Sequence, residues 1–167
     1  MVRIHPSCES PSAWFPERPS DTEWRKIRKK VLTRDDHTCC GCGHRHENYM
    51  NVHHIDGSST NDLHNLVTLC VACHAVLHMG HSLRCKSIEI WKSTIPQIDI
   101  IRRTRSGISS GHCLAEINDT FDLSKGNYDP DSLDWANSII DRSNTAPRFY
   151  LPEGHVAVFV NLTRWQI

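Results

Sequence analysis

The chain has 167 residues, 38% of them hydrophobic, and its 19 Lys and Arg balance 19 Asp and Glu to a formal net charge of zero. That length suits one domain with decorations, and that composition excludes a chain disordered as a whole. A nil charge balance argues against an indiscriminate nucleic-acid binder, and the lack of a long apolar run argues against a membrane span.

Residues 1–19 are rich in Pro and Ser and read as an arm or extended cover, with Trp14 and Phe15 available to dock on the body. Ser20 and Glu23 match a capping box that opens a helix over Asp21 to Arg34. Trp24, Ile27 and Val31 make its apolar stripe, with Leu32 beside them. Arg25, Lys26, Arg28, Lys29, Lys30 and Arg34 fill the rest, either as a solvated face or as contacts to backbone phosphates. Cys39 to Gly43 reads as a tight metal-binding turn whose glycines relieve crowding against sulfur. A strand is expected over Asn48 to Ile55 and a polar loop over Asp56 to Asn61. Leu63, Leu66, Val67 and Leu69 then return to the core, and a short helix runs from Cys70 or Val71 through His78 until Gly80 stops it.

Beyond that point the signals weaken. Ser87 to Ile95 reads as helix or strand, interrupted by Pro96; Ile98, Ile100 and Ile101 suggest a strand; Ser106 to Gly111 has the composition of a loop. Arg102, Arg103 and Arg105 form a second basic cluster. Pro130 to Arg142 looks helical, with Leu133, Ala136 and Ile140 in one stripe, and His155 to Leu162 looks like a strand. Acidic residues collect late, at Asp119, Asp122, Asp129, Asp131, Asp134 and Asp141, so charge is polarised along the chain although its sum is nil.

Chemistry concentrates in the middle. Cys39-x-x-Cys42 and Cys70-x-x-Cys73 suit one structural Zn2+ in a closed tetrahedral shell that clamps a hairpin to a helix start. A redox pair is the competing reading, but the thioredoxin-like βαβ pattern is missing. Cys40 is the poorly spaced neighbour, and Cys8, Cys85 and Cys113 read as ordinary small hydrophobes. The N-terminus lacks a signal-peptide pattern, so a cytoplasmic, reducing setting with metal-bound thiols is expected.

The histidines suit a second, open site. His53 and His54 sit side by side on a strand and face opposite ways, so one of them at most serves a given ion easily. His74 and His78 share a helix face. His53, His74 and His78 are therefore assigned to a divalent cation and His54 to general-base duty, with Asn65 orienting it through its amide or nearby backbone. The alternative has His74 or His78 replacing a cysteine, which leaves a purely structural zinc module.

The stretches R-D-D-H-T-C-C-G-C-G (34–43), V-H-H-I-D-G (52–57), N-D-L-H-N-L-V-T-L-C (61–70) and V-A-C-H-A-V-L-H (71–78) resemble the His-Asn-His endonuclease family. The likeness covers roughly Val31 to Gly80. It implies an α+β fold: a zinc-stapled ββα-metal (His-Me finger) core with an N-terminal helix and a C-terminal α/β extension. It also implies His54 as base, Asn65 as the middle asparagine, and His74 and His78 in the final-helix metal site with His53 as a ligand. Many relatives with four zinc cysteines carry Asp at the His53 position, and a histidine there resembles the nuclease domains of bacterial toxins. A three-imidazole site accepts softer ions than an all-oxygen one, so Mg2+, Mn2+, Ni2+ or Zn2+ are the candidate catalytic cations.

The expected organisation is an arm at 1–19, the nuclease domain with its basic helix at 20–84, and a recognition or dimerisation region at 85–167. The expected activity is metal-dependent hydrolysis of phosphodiesters in double-stranded DNA, of the site-specific restriction or phage/mobile-element type. A homodimer fits because two strands need two cuts. The runner-up is a non-catalytic zinc-dependent nucleic-acid-binding module.

Overall fold

The structure, a computed structural model, describes residues 2–9, 20–57, 60–126, 128–130, 132–143 and 148–161. In chain order its elements are β1 (Ser7–Glu9), α1 (Asp21–Arg34), β2 (Met50–His54), a 3-10 turn (Leu63–Asn65), β3 (Leu66–Cys70), α2 (Val71–Leu77) and α3 (Met79–Arg84). Then follow β4 (Ile88–Lys92), α4 (Gln97–Ser109), α5 (Leu114–Asn118), α6 (Leu133–Ser143), β5 (Arg148–Tyr150) and β6 (His155–Phe159). The fold is mixed α+β, with antiparallel pairs β1–β5, β2–β3 and β4–β6. No described helix is long and apolar enough to cross a membrane. Trp14, Phe15, Asp131, Leu162 and Trp165 lie outside the described residues.

Helix α1 forms over its predicted span. The Ser20 hydroxyl accepts from the Glu23 amide at 3.3 Å while the Glu23 carboxylate accepts from the Ser20 amide at 3.0 Å, so two otherwise orphaned donors are satisfied. Its end is set by Asp36 and His37, both with positive φ. Asp35 ties that end to the sheet: its carboxylate accepts from the Thr68 amide at 2.9 Å and from the Arg34 guanidinium at 2.7 and 3.0 Å. Burial raises the Asp35 pKa, but these bonds outweigh it and hold the carboxyl below its ordinary value.

Asp35→Asn is expected to destabilise the fold by about 1–2 kcal/mol, a charged hydrogen bond discounted for its exposure. With the folded pKa depressed, this contribution is complete above the ordinary value of 3.8 and vanishes as pH falls through the lower folded value. Urea denaturation of both proteins checks this. The gap between wild type and variant should narrow on acidification, while acid effects common to both cancel.

The hairpin β2–β3 places Met50 opposite Cys70 and His54 opposite Leu66, and β3 runs directly into α2. Every residue of β3 is buried, because α1 covers one side and α2 the other. Gly80 does not stop the chain here. The backbone breaks at His78 (φ −102°, ψ 46°) and resumes as α3, with Gly80 inside it. A Cβ at Gly80 would lie 2.7 Å from Ile140 Cγ1 and 2.8 Å from Cys8 Sγ, so the glycine permits close approach of α6 and β1.

The C-terminal part departs further from the sequence expectations. Ile98, Ile100 and Ile101 lie in helix α4, not in a strand. Gln97, Ile100, Ile101 and Thr104 are its buried residues, and their spacing of three, four and seven is helical. Pro96 is the cap residue that opens this helix. Residues 106–109 continue it instead of forming a loop, because Gly107 leaves room for Ile117 of α5, whose Cγ1 would sit 2.6 Å from an added Cβ. Gly111, at φ +86°, then turns the chain out. Within Ser87 to Ile95, residues Ile88–Lys92 form strand β4, paired with β6. Leu133 is exposed, so the buried stripe of α6 is Ala136, Ile139 and Ile140. Strand β6 is buried on both faces: Val156 and Val158 meet Ile100, Ile117 and Phe121, while Ala157 and Phe159 enter the main core. Cys8 is buried as expected, but Cys85 and Cys113 are exposed.

Candidate metal centres

The Cys39, Cys42, Cys70 and Cys73 sulfurs lie within 4.8 Å of one another, and all four residues are buried. Cys42 Sγ and Cys70 Sγ are 3.6 Å apart, close to the ~3.8 Å that Zn–S bonds of ~2.3 Å impose on a tetrahedral shell. Backbone amides also face the sulfurs: Cys42 N donates to Cys39 Sγ and Cys73 N to Cys70 Sγ, each at 3.5 Å. The second of these bonds makes Cys70 the N-cap of α2. Gly41 is required at the turn, since a Cβ there would lie 2.6 Å from Ile4 Cγ1 and 3.1 Å from Cys73 Sγ.

Charge inside the cluster is frustrated. Hydrogen bonds from the other thiols pull Cys39 far down; Cys42 is raised by its bond to Cys39 but lowered by those to Cys70 and Cys73 and ends at about 7, while the same crowding drives Cys70 and Cys73 far up. Four sulfurs at this separation cannot all ionise without a cation among them. The cluster can hold a structural metal such as zinc. All eight cysteines are free of disulfides, in keeping with that use.

The imidazoles of His53, His74 and His78 form a second cluster, also with one donor atom each within 4.8 Å of the others. Ring centroids are 5.6 Å apart for His53–His74, 5.2 Å for His53–His78 and 4.2 Å for His74–His78. Strand β2 supplies the first ring, the inner face of α2 the second, and the break between α2 and α3 the third. Burial and then neighbouring charge push all three well below the ordinary histidine range, His78 to about 4. They are neutral near pH 7, with ring lone pairs suited to a cation.

Two residues with no local signal in the sequence enter this cluster. Glu9 of β1 and Arg148 of β5 stand opposite each other in the sheet register and form a buried ion pair. The Glu9 carboxylate reaches His78 Nδ1 at 3.5 Å and His53 Nε2 at 3.8 Å. Burial raises the Glu9 pKa against the lowering effect of Arg148. The Arg148 guanidinium donates to His53 Nε2 at 3.0 Å, to the His54 carbonyl at 3.0 Å and to the Ile55 carbonyl at 2.7 Å.

His54 faces the opposite way from His53. His53 is 2% exposed, whereas the His54 ring is half-buried and stacks on Trp24 of α1 at 6.3 Å and 16°. Its Nε2 lies 3.2 Å from Asn61 Oδ1, an acceptor, which assigns the ring proton to Nε2 and leaves Nδ1 with the lone pair. Asn65 works one step away. Its side-chain oxygen accepts from the Asp56 amide at 3.2 Å, its Nδ2 donates to Thr60, and its carbonyl accepts from the Ile55 amide at 2.8 Å. Asn65 therefore fixes the turn after His54, while Asn61 touches the ring.

The basic residues divide by what they touch. Arg25, Lys26, Lys29 and Lys30 are exposed on α1, the helix that carries Trp24. Arg28 donates to the Met50 carbonyl at 2.8 Å, and Arg34 to the Leu63 and Leu66 carbonyls at 2.6 and 2.7 Å. Arg102 and Arg103 are exposed on α4 and Arg105 is half-buried there; Arg102 Nε also donates to the Cys42 carbonyl at 3.3 Å, so that cluster borders the thiolate turn. The late acidic residues Asp119, Asp122, Asp129, Asp134 and Asp141 are exposed. Comparison with models of known protein families and with curated proteins finds no match to this chain.

Proposed function

We propose that the chain is a metal-dependent DNA endonuclease, built on a ββα-metal core formed by β2, β3 and α2. The observation that carries this reading is the separation of two metal-ligating clusters by kind. Four buried sulfurs suit a closed structural ion, and three neutral imidazoles suit an ion with open positions, beside a fourth imidazole that keeps its own lone pair.

His53, His74 and His78 would hold a divalent cation, which would supply Lewis-acid charge where negative charge develops on the phosphate. His54 Nδ1 takes the proton from the attacking water as the P–O3′ bond breaks, and the departing 3′ oxygen takes a proton from solvent, giving a 5′-phosphate and a 3′-hydroxyl. Asn61 holds His54 in the tautomer this needs, and Asn65 holds the turn behind it. The exposed cations of α1 lie on the helix that packs on β2 and β3, where they are placed to follow a phosphate backbone toward His54. The near-neutral total charge favours limited, site-specific contacts, of the restriction or mobile-element kind, over indiscriminate digestion.

Supercoiled plasmid incubated with purified protein and Mg2+, Mn2+, Ni2+ or Zn2+ tests the proposal. Metal-dependent nicked or linear product with 5′-phosphate ends is expected. Plasmid that is bound but never cut with any of the four ions would leave the non-catalytic binding module in its place.

A further inference from the structure

We propose that Arg148 of β5 is a positioning residue for His54: its guanidinium clamps the turn that follows this histidine, so the C-terminal part of the chain completes the catalytic strand instead of standing apart as a recognition module. The proposal rests on the endonuclease reading for its catalytic meaning and on the contacts of Arg148 for its geometry.

Strand β2 ends at His54, and the chain turns at Ile55 and Asp56. The two carbonyls at that point accept from the two ends of one guanidinium: Arg148 Nη2 donates to the His54 oxygen at 3.0 Å and Nη1 to the Ile55 oxygen at 2.7 Å. Neighbouring carbonyls of a regular strand point to opposite edges, so a single planar fork reaches both only where the strand has turned. The other side of the same turn belongs to Asn65. Its carbonyl accepts from the Ile55 amide at 2.8 Å and its side-chain oxygen from the Asp56 amide at 3.2 Å. The backbone that carries the His54 ring is thus gripped from the hairpin by Asn65 and from β5 by Arg148.

Arg148 is itself held. Its side chain is 7% exposed and pairs with Glu9, its register partner on β1. A guanidinium anchored in this way loses little further freedom on bonding two carbonyls. Nη2 also donates to His53 Nε2 at 3.0 Å; an ion at that nitrogen would replace this bond and leave the two carbonyl bonds untouched. From the clamped turn the chain leads to Asn61, whose Oδ1 lies 3.2 Å from His54 Nε2 and keeps the ring proton there. Loosening the turn shifts the ring against Asn61, and with it the nitrogen that is left to accept a proton from water.

Arg148→Lys in the full chain, with the thiolate site filled with Zn2+, tests this. Lysine keeps a positive charge for Glu9, but one ammonium on a flexible stem does not replace a planar fork across two carbonyls. In plasmid nicking with Mg2+, Mn2+, Ni2+ or Zn2+, kcat should fall about 10–10^2-fold with KM within ~2-fold of wild type. Nitrogen-15 NMR of the imidazoles supplies a readout independent of cleavage: His54 is expected as a single Nε2–H tautomer in wild type and as a mixture in the variant. Should Arg148→Lys fail to fold, Glu9→Gln/Arg148→Gln removes the ion pair as a unit and is expected to give the same mixture. A folded variant with wild-type kcat and a single His54 tautomer would overturn the clamp and leave the endonuclease reading in place. Unfolding of both variants would make Arg148 a residue of stability alone and overturn it too. Wild type that cuts no plasmid would sink the endonuclease reading, and the tautomer comparison would still decide whether Arg148 holds His54.

Discussion

His54→Ala is expected to reduce plasmid cleavage by about 10^2–10^4-fold while the protein stays folded and keeps both metal centres. The magnitude is that of removing a positioned general base. The selectivity follows from where the ring sits. His54 is half-buried, its ring contacts are Trp24 and Asn61, and it faces away from the thiolate and imidazole clusters. Truncation removes a surface-facing ring and no core volume, so the melting temperature and the Zn2+ content should match wild type. DNA affinity, carried by the cations of α1 in this reading, should change little. Plasmid nicking, metal analysis and a DNA-binding isotherm on the same samples check the three parts together. A variant that cuts as fast as wild type removes His54 from the chemistry, and equal trace cleavage in both points to a contaminating nuclease.

The middle of the chain was legible because its signals are local. Ser20 and Glu23 define a helix start by side-chain geometry alone, and α1 forms over the predicted residues. Two C-x-x-C pairs force a turn at each pair, and their sulfurs meet. The i, i+4 spacing brings the His74 and His78 rings to 4.2 Å at the C-terminal end of α2, where His53 joins them across the β2–α2 packing. What stayed hidden is long-range. Glu9 and Arg148 sit in three-residue strands that no periodicity can reveal, and only their pairing across the fold carries them to the histidines. Asn61 lies in a polar loop where one amide looks like another until the loop closes on His54. The misreading of residues 98–101 has a different cause. Consecutive isoleucines carry strand propensity, but burial of Gln97, Ile100, Ile101 and Thr104 on one side imposes a helix. Gly107, a poor helix former in isolation, is held in α4 by the α5 contact it permits.

Cys70→Ser is expected to unfold the β2–β3–α2 unit instead of merely slowing turnover. Cys70 combines three roles: buried donor in the four-sulfur cluster, N-cap of α2, and strand partner of Met50 at the start of the hairpin. Serine keeps a cap oxygen and the backbone pairing, so the substitution isolates the metal term. Structural zinc sites of this kind contribute about 10–16 kcal/mol of apparent binding free energy, against a total stability of about 5–15 kcal/mol for a domain. Losing even a good part of it exceeds what the remaining contacts supply. Ile4, Met50, Val67 and Leu69 pack in the same core as the sulfurs, so failure of the cluster spreads to β1 and the N-terminal side of the histidine centre. The expected result is loss of one equivalent of Zn2+, loss of the cooperative thermal transition, and loss of Co2+ binding at the histidines because His53, His74 and His78 no longer converge. Zinc stoichiometry with circular dichroism checks it. A folded, zinc-replete Cys70→Ser would show that the ion does not depend on this sulfur, and the division of labour between the sulfur and imidazole clusters would have to be redrawn.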